Sequence, residues 1–195
     1  MNSIYNILIK TILYDIIPKT KISISKGNKL FGAAILNKKD YTLICIGTNN
    51  EIKNPLLHGE IVALNNFYII PNNKRPKTKD CIFLSTHEPC SLCLSAITWA
   101  GFDNFYYLFP YTDTKNKFKI SHDLNILKHV FNINNGKYIK NNNYWKSYSI
   151  MKKVNLLKEP NRTLLNQKIK KIIKIYNNLS NLYQKSKKTN KIPLN

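Results

Sequence analysis

Two short segments carry the residue types that could do chemistry together: His58-Gly59-Glu60 and Glu88-Pro89-Cys90-Ser91-Leu92-Cys93. Each stands at the start of a predicted helix, and Pro89 sits where it can open the second one. Two cysteines three residues apart in a first helical turn place both sulfurs on one face, as a tetrahedral metal requires. The positive end of the helix helps to hold them as thiolates. His58 adds an imidazole from a neighbouring helix. Two thiolates and one imidazole suit zinc, and three protein ligands leave the fourth position open to water, as catalytic sites do. Glu60, two residues after the histidine, is close enough to exchange a proton with that water without binding the metal. The competing readings are weaker. A redox Cys-x-x-Cys leaves the His-x-Glu unexplained. A closed structural site needs a fourth ligand, for which His87 is the nearest candidate.

The elements that must position these residues follow from periodicity. Ile4 to Ile17 has apolar residues every four positions and predicts an amphipathic helix rather than a signal peptide. Leu30–Leu36 and Tyr41–Gly47 read as two strands of a hairpin. Helical spacing returns over His58–Tyr68. Cys81–Ser85 reads as a third strand, Cys90–Ala100 as a helix ended by Gly101, and Asn104–Phe109 as a fourth strand. Helix, hairpin, helix, strand, helix, strand is the order of an α/β layered domain with a mixed sheet. Asp123–Phe131 is predicted helical, the Asn-rich stretch 132–143 a loop, and Tyr144–Val154 either a helix or a strand. Arg162–Lys185 is a basic amphipathic helix with Leu165, Ile169, Ile172, Tyr176, Leu179 and Tyr183 on its apolar face. The last ten residues read as frayed. The organisation expected is a zinc-site domain over residues 1–160, its motif-bearing core at 29–112, and a basic C-terminal helical extension with a tail over 161–195.

Length and composition suit one folded domain, and no apolar run is long enough to span a membrane. The net charge is +21. All but two of the 31 basic residues, Arg75 and Arg162, are lysines, and Asn and Ile are also abundant. Drift under A/T-rich codons and selection for a nucleic-acid partner both account for such a balance. The scarcity of arginine forks favours drift. The expected location is the cytoplasm. Cys45 and Cys81 lie in apolar runs and read as small hydrophobes. His122 and His129 have no partner pattern and read as surface residues. Glu88 reads as a carboxylate favoured by the helix that follows it.

His-x-Glu followed by Pro-Cys-x-x-Cys resembles the signature of the zinc-dependent nucleobase and nucleoside deaminases of the cytidine/deoxycytidylate deaminase superfamily. The resemblance runs from about Phe31 to Tyr111. Gly47-Thr48-Asn49 is similar to the stretch in which family members use an asparagine to grip the base. Ser85 to Cys90 is similar to the strand-to-helix turn of the cytosine, guanine and tRNA adenosine deaminases. The resemblance implies a three-layer cytidine-deaminase-like α/β fold with helices flanking a mixed sheet, one zinc per subunit held by His58, Cys90 and Cys93, and a homodimer. It implies that zinc activates a water, that the water attacks the ring carbon bearing the amino group, and that Glu60 shuttles the proton. Asn49 and the Gly59 backbone would contact the ring, and His87 could line the pocket. A free base or nucleoside is the leading substrate class. A tRNA-specific adenosine deaminase is the alternative. An editing or antibiotic-modifying deaminase is a third reading, and a non-catalytic zinc-binding relative a fourth.

Overall fold

The structure is a computed structural model, and it describes residues 3–195. The chain starts with a long helical stretch. α1 (Ile4–Thr11) passes through a π-helical turn (Ile12–Ile16) into α2 (Ile17–Ser25). Leu8, Ile12 and Ile16 are fully buried, the four-residue spacing seen in the sequence. The widened turn lies just before Pro18. Proline lacks an N–H and its ring crowds the preceding turn, and a π-type turn accommodates both defects. The helix therefore runs to Ser25, beyond the predicted end at Ile17, with Ile24 buried near its last turn.

β1 (Gly32–Asn37) and β2 (Leu43–Thr48) pair antiparallel as the expected hairpin, with Ala33 opposite Gly47. β3 (Cys81–His87) pairs antiparallel with the other edge of β1. β4 (Asn104–Phe109) and β5 (Lys146–Ser149) then add in parallel, giving one mixed sheet in the order β2-β1-β3-β4-β5. Side chains alternate between the two faces of each strand. Ala34, Leu36, Ile82 and Leu84 turn to one core, shared with α1, α2, α7 (Ile150–Asn155) and α8 (Asn161–Ser186). Ala33, Ile35, Phe83 and Phe105 turn to the other, against α3 (Gly59–Ile69) and α4 (Ser91–Trp99). The result is a three-layer α/β architecture with the sheet in the middle.

The later segments resolve what periodicity left open. Tyr144–Val154 is both a strand and a helix: β5 ends at Ser149, whose side chain caps α7 by accepting from Lys152 N. Between Pro110 and His122, where no element was assigned, the short α5 (Tyr111–Asn116) forms. α6 (His122–Phe131) ends on Asn132 in the left-handed conformation. All six residues of the predicted apolar face of α8 are buried, in the same core as the sheet. The final residues are not frayed. Ile192 is buried, Asn190 donates to Gly27 O, and Tyr183 donates to Asn195 Oδ1. Two aliphatic residues around a proline, with scattered amides, have no periodicity to read, so this packing was invisible in the sequence. Among the described residues no helix is long and apolar enough to cross a membrane.

Candidate metal centre

The site is built where two helices begin against the sheet. β2 and α3 touch at Gly47, where an added Cβ would strike backbone at Gly59 and Ala63. At Gly59 itself a Cβ would lie 2.8 Å from Gly32 Cα. The glycine between His58 and Glu60 is therefore a packing requirement. It lets the first turn of α3 lie directly on β1.

His58 occupies the N-cap position of α3, with extended backbone and no side-chain cap bond. Cys90 occupies the same position on α4. A residue at this position has a side chain released from helical geometry, free to point beyond the helix end. Asn49 takes over the capping of α3: its Oδ1 accepts from Gly59 N at 2.7 Å. The expected backbone contact of Gly59 is thus satisfied within the chain. Asn49 is itself buried, with its Nδ2 donating to Glu51 Oε2 at 2.9 Å.

His58 Nδ1 lies 3.4 Å from Cys90 Sγ and 3.6 Å from Cys93 Sγ. The three donor atoms all fall within 4.8 Å of one another, and among the described residues they form the one such His/Cys/Asp/Glu group. A tetrahedral zinc with ordinary Zn–S and Zn–N bonds sets sulfur-to-nitrogen separations of about 3.5 Å. The donor set and its spacing therefore fit zinc. His87 does not join it, so no fourth protein ligand closes the site. In the metal-free arrangement, hydrogen bonding from Cys93 and the neighbouring His58 hold the Cys90 thiol well below its ordinary value. Burial pushes Cys93 the other way. A thiol already drawn towards thiolate is prepared to bind a metal.

Glu60 is 4% exposed and has no cationic partner other than His58. Ser85 Oγ donates to its Oε1 at 2.8 Å, and Cys93 Sγ lies 3.3 Å from Oε2. Burial raises its carboxyl above the ordinary value and the Cys90 sulfur adds to this, while His58 and the Ser85 hydrogen bond oppose it. Ser85 was missed as a site residue. Its signal was present, a hydroxyl directly following the apolar run Cys81–Leu84. Asp123, at the start of α6, was also missed. It shares a narrow space with His58, Glu60 and Cys90, and burial first and Cys90 second push its carboxyl well up. No motif marks it, because it lies beyond the matching region.

His87 stands in the wall. Its ring packs against Phe31, Phe109, Phe118 and Tyr176, its Nδ1 shares a hydrogen bond with Thr86 Oγ1 at 2.9 Å, and burial drives its pKa well down. Its Nε2 is buried without a partner. Glu88 does not cap α4. It is buried, accepting from Tyr111 N, the Tyr138 hydroxyl and the Lys140 ammonium. His122 is partly buried beside Asp123 rather than free on the surface, while His129 is exposed. Cys81 is fully buried and Cys45 partly so.

Beside His58 and Cys90 lies a cavity of about 320 Å³. Phe31, Leu56, Leu92 and Ile126 give it apolar walls, Lys29, Glu51 and Asp123 give it polar ones, and Ile192–Leu194 also line it. Such a space accommodates a small ring system. A larger and more open cavity of about 540 Å³ sits at the far end of the sheet, lined by Tyr106, Tyr148 and Lys146, and holds none of the candidate ligands.

Comparison with known proteins agrees with this geometry. Residues 15–109 match the cytidine and deoxycytidylate deaminase zinc-binding region. A cytosine deaminase of Candida albicans is 36% identical over 86 residues, covering 43% of this chain and 55% of the relative. A guanine deaminase of Bacillus subtilis is 34% identical over 85 residues, covering 43% and 52%. The chain thus spans about half the length of the curated relatives it matches. A solved guanine deaminase from Nitrosomonas europaea shares the fold with a TM-score of 0.52 at 16% identity, over 87% of this chain and 86% of that one. Residues 15–109, just under half of the chain, thus form a cytidine and deoxycytidylate deaminase zinc-binding region.

Proposed function

We propose that the protein hydrolytically deaminates a free nucleobase or nucleoside, replacing a ring amino group by a carbonyl and releasing ammonia. The observation that carries this reading is Glu60. It is a buried carboxylate lying against Cys93, with its proton affinity raised, in a narrow space that shares His58, Cys90 and Asp123 with the neighbouring cavity sized for one ring. His58, Cys90 and Cys93 would hold zinc, which when bound supplies the electrophilic activation that makes water reactive near neutral pH.

The chain's own groups do the rest. Glu60 accepts a proton from the attacking water and delivers it to the ring nitrogen, then takes the proton of the added hydroxyl and passes it to the amino group, which leaves as ammonia as the carbonyl forms. Ser85 fixes the Oε1 end of that carboxylate, so that Oε2 is the end that moves the proton. Asp123, beside Cys90 and Glu60, is placed to accept from the amino group or ring N–H. Asn49 retains one amide hydrogen and one lone pair beyond its internal bonds, enough to share with a ring edge. The apolar walls exclude bulk water and take the ring faces.

A single base or nucleoside is favoured over an RNA stem-loop because Ile192–Leu194 of the tail line the cavity and narrow the room beside it for a bulky stem-loop. Ammonia release by zinc-loaded protein is the test. The panel holds cytosine, guanine, adenine, their nucleosides and an adenosine-containing anticodon stem-loop, at low and high salt. Turnover of a base or nucleoside, insensitive to salt, is expected. Activity confined to the stem-loop and falling steeply with salt would overturn the small-substrate reading.

A further inference from the structure

At the Nε2 side of His58, away from the sulfurs and among the residues that line the cavity, lies a buried ion pair that the chemistry above does not use. Lys29 Nζ is 2.9 Å from Glu51 Oε1, with side chains 7% and 1% exposed. Buried pairs of this kind cost desolvation and are often no better for stability than apolar residues of equal volume. Their presence therefore calls for another reason.

The Glu51 carboxylate reaches four groups. Oε1 accepts from Lys29 Nζ and lies 3.8 Å from His58 Nε2. Oε2 accepts from Lys29 N at 3.2 Å and from Asn49 Nδ2 at 2.9 Å. Asn49 in turn caps α3 at Gly59. One carboxylate thus touches the imidazole that faces the sulfurs and the amide that caps the same helix.

His58 presents Nδ1 to both sulfurs, so a metal-bound ring carries its proton on Nε2, the nitrogen that faces Glu51. At 3.8 Å the contact is electrostatic rather than a hydrogen bond. A negative charge there favours the Nε2–H tautomer and makes Nδ1 a better donor, as partners behind ligating histidines do. Glu51 also decides which way Asn49 faces. With Nδ2 held by the carboxylate, Oδ1 must turn to Gly59. Lys29 balances the charge, so that Glu51 does not add an unpaired anion beside two thiolates and Glu60.

The geometry points to Lys29 and Glu51 as a positioning pair that fixes the His58 tautomer and the Asn49 orientation for the metal centre. This inference rests on the proposed role of His58 as a zinc ligand, and the experiment separates the two. Zinc affinity of the full chain is measured by competition with a chelator. The tautomer of His58 is read by nitrogen-15 NMR, where the chain's four histidines are few enough to assign.

The variants are Glu51→Gln and the double change Lys29→Met with Glu51→Leu. The double variant replaces the pair by apolar groups and is expected to keep the melting temperature of the metal-free chain. Both are expected to bind zinc about 10- to 100-fold more weakly and, without zinc and at a pH where the ring is neutral, to lose the Nε2–H preference of His58. A wild-type chain that binds no zinc would remove the metal-centre reading itself. A wild type that binds it, with both variants within twofold and the same tautomer, would overturn the positioning role alone. A double variant that fails to fold leaves Glu51→Gln, which keeps the shape of the side chain, to decide by the same two readouts.

Discussion

Glu60 and Glu88 are buried carboxylates at the starts of two neighbouring helices, and both line the same narrow space beside Cys90. Their surroundings differ. Glu88 is held by three donors, Tyr111 N, the Tyr138 hydroxyl and the Lys140 ammonium, and Lys140 also donates to Tyr107. Three of its about four acceptor sites are taken and its charge is matched. Glu60 has one firm donor, Ser85, and a sulfur against its other oxygen. A carboxylate with a matched cation is an anchor. One with an unsatisfied oxygen and a raised proton affinity can move a proton. Burial alone does not distinguish the two, and the partners do.

Substitutions can break this contrast. Glu60→Gln keeps the shape and removes the base. Turnover is expected to fall by about ten-thousand-fold with zinc content and melting temperature preserved. Metal analysis and initial rates check this, and an active variant would remove Glu60 from the mechanism. Glu88→Ala should do the reverse. It is expected to cost about 2 kcal/mol of stability in a denaturant titration, while the folded fraction keeps its turnover within a few-fold. A variant of normal stability but no activity would make Glu88 a second working group.

Ser85→Ala sharpens the comparison by loosening Glu60. A loss of about tenfold in kcat with little change in KM is expected, since the bond matters for aim more than for binding. Equal kcat would mean that Glu60 is held by something else.

His87, just before Glu88, gives the smallest effect. Burial lowers its pKa well below 6.5, so the folded chain keeps it neutral where the unfolded chain takes up a proton. Its contribution to stability is complete above pH 6.5 and declines as pH falls from there towards its folded value. One such proton amounts to about 1 kcal/mol at one pH unit below 6.5. Parallel denaturant titrations at pH 7.5 and 5.5 should show this difference, and His87→Leu should remove it. An unchanged pH dependence in the variant would show that His87 stays neutral in neither state's favour.

Much of the metal centre was legible because its geometry is local. Cys90 and Cys93 share a helical turn, His58 and Glu60 another, and each spacing carries its own directions. The apolar face of α8 was legible for the same reason: one helical period repeated along a single element. Other features were written in no spacing. The Asn-rich stretch 132–143 read as a loop, yet it delivers Tyr138 and Lys140 to Glu88 across 50 and 52 residues. The tail that read as frayed lines the cavity, with Ile192 buried there.

From its sequence alone this protein has a His58–Cys90–Cys93 donor set, a carboxylate beside it, and a helix–strand order that makes an α/β layer. Tertiary structure decided the rest: Ser85 on Glu60 across 25 residues, Lys29 on Glu51 across 22, and Asp123 at the metal centre from a separate helix. The reason is physical. Helical and strand periods fix directions within a few residues, so ligands sharing a turn declare themselves. Hydrogen-bond and charge partners are chosen by which segments pack together, and that depends on the burial of the whole core.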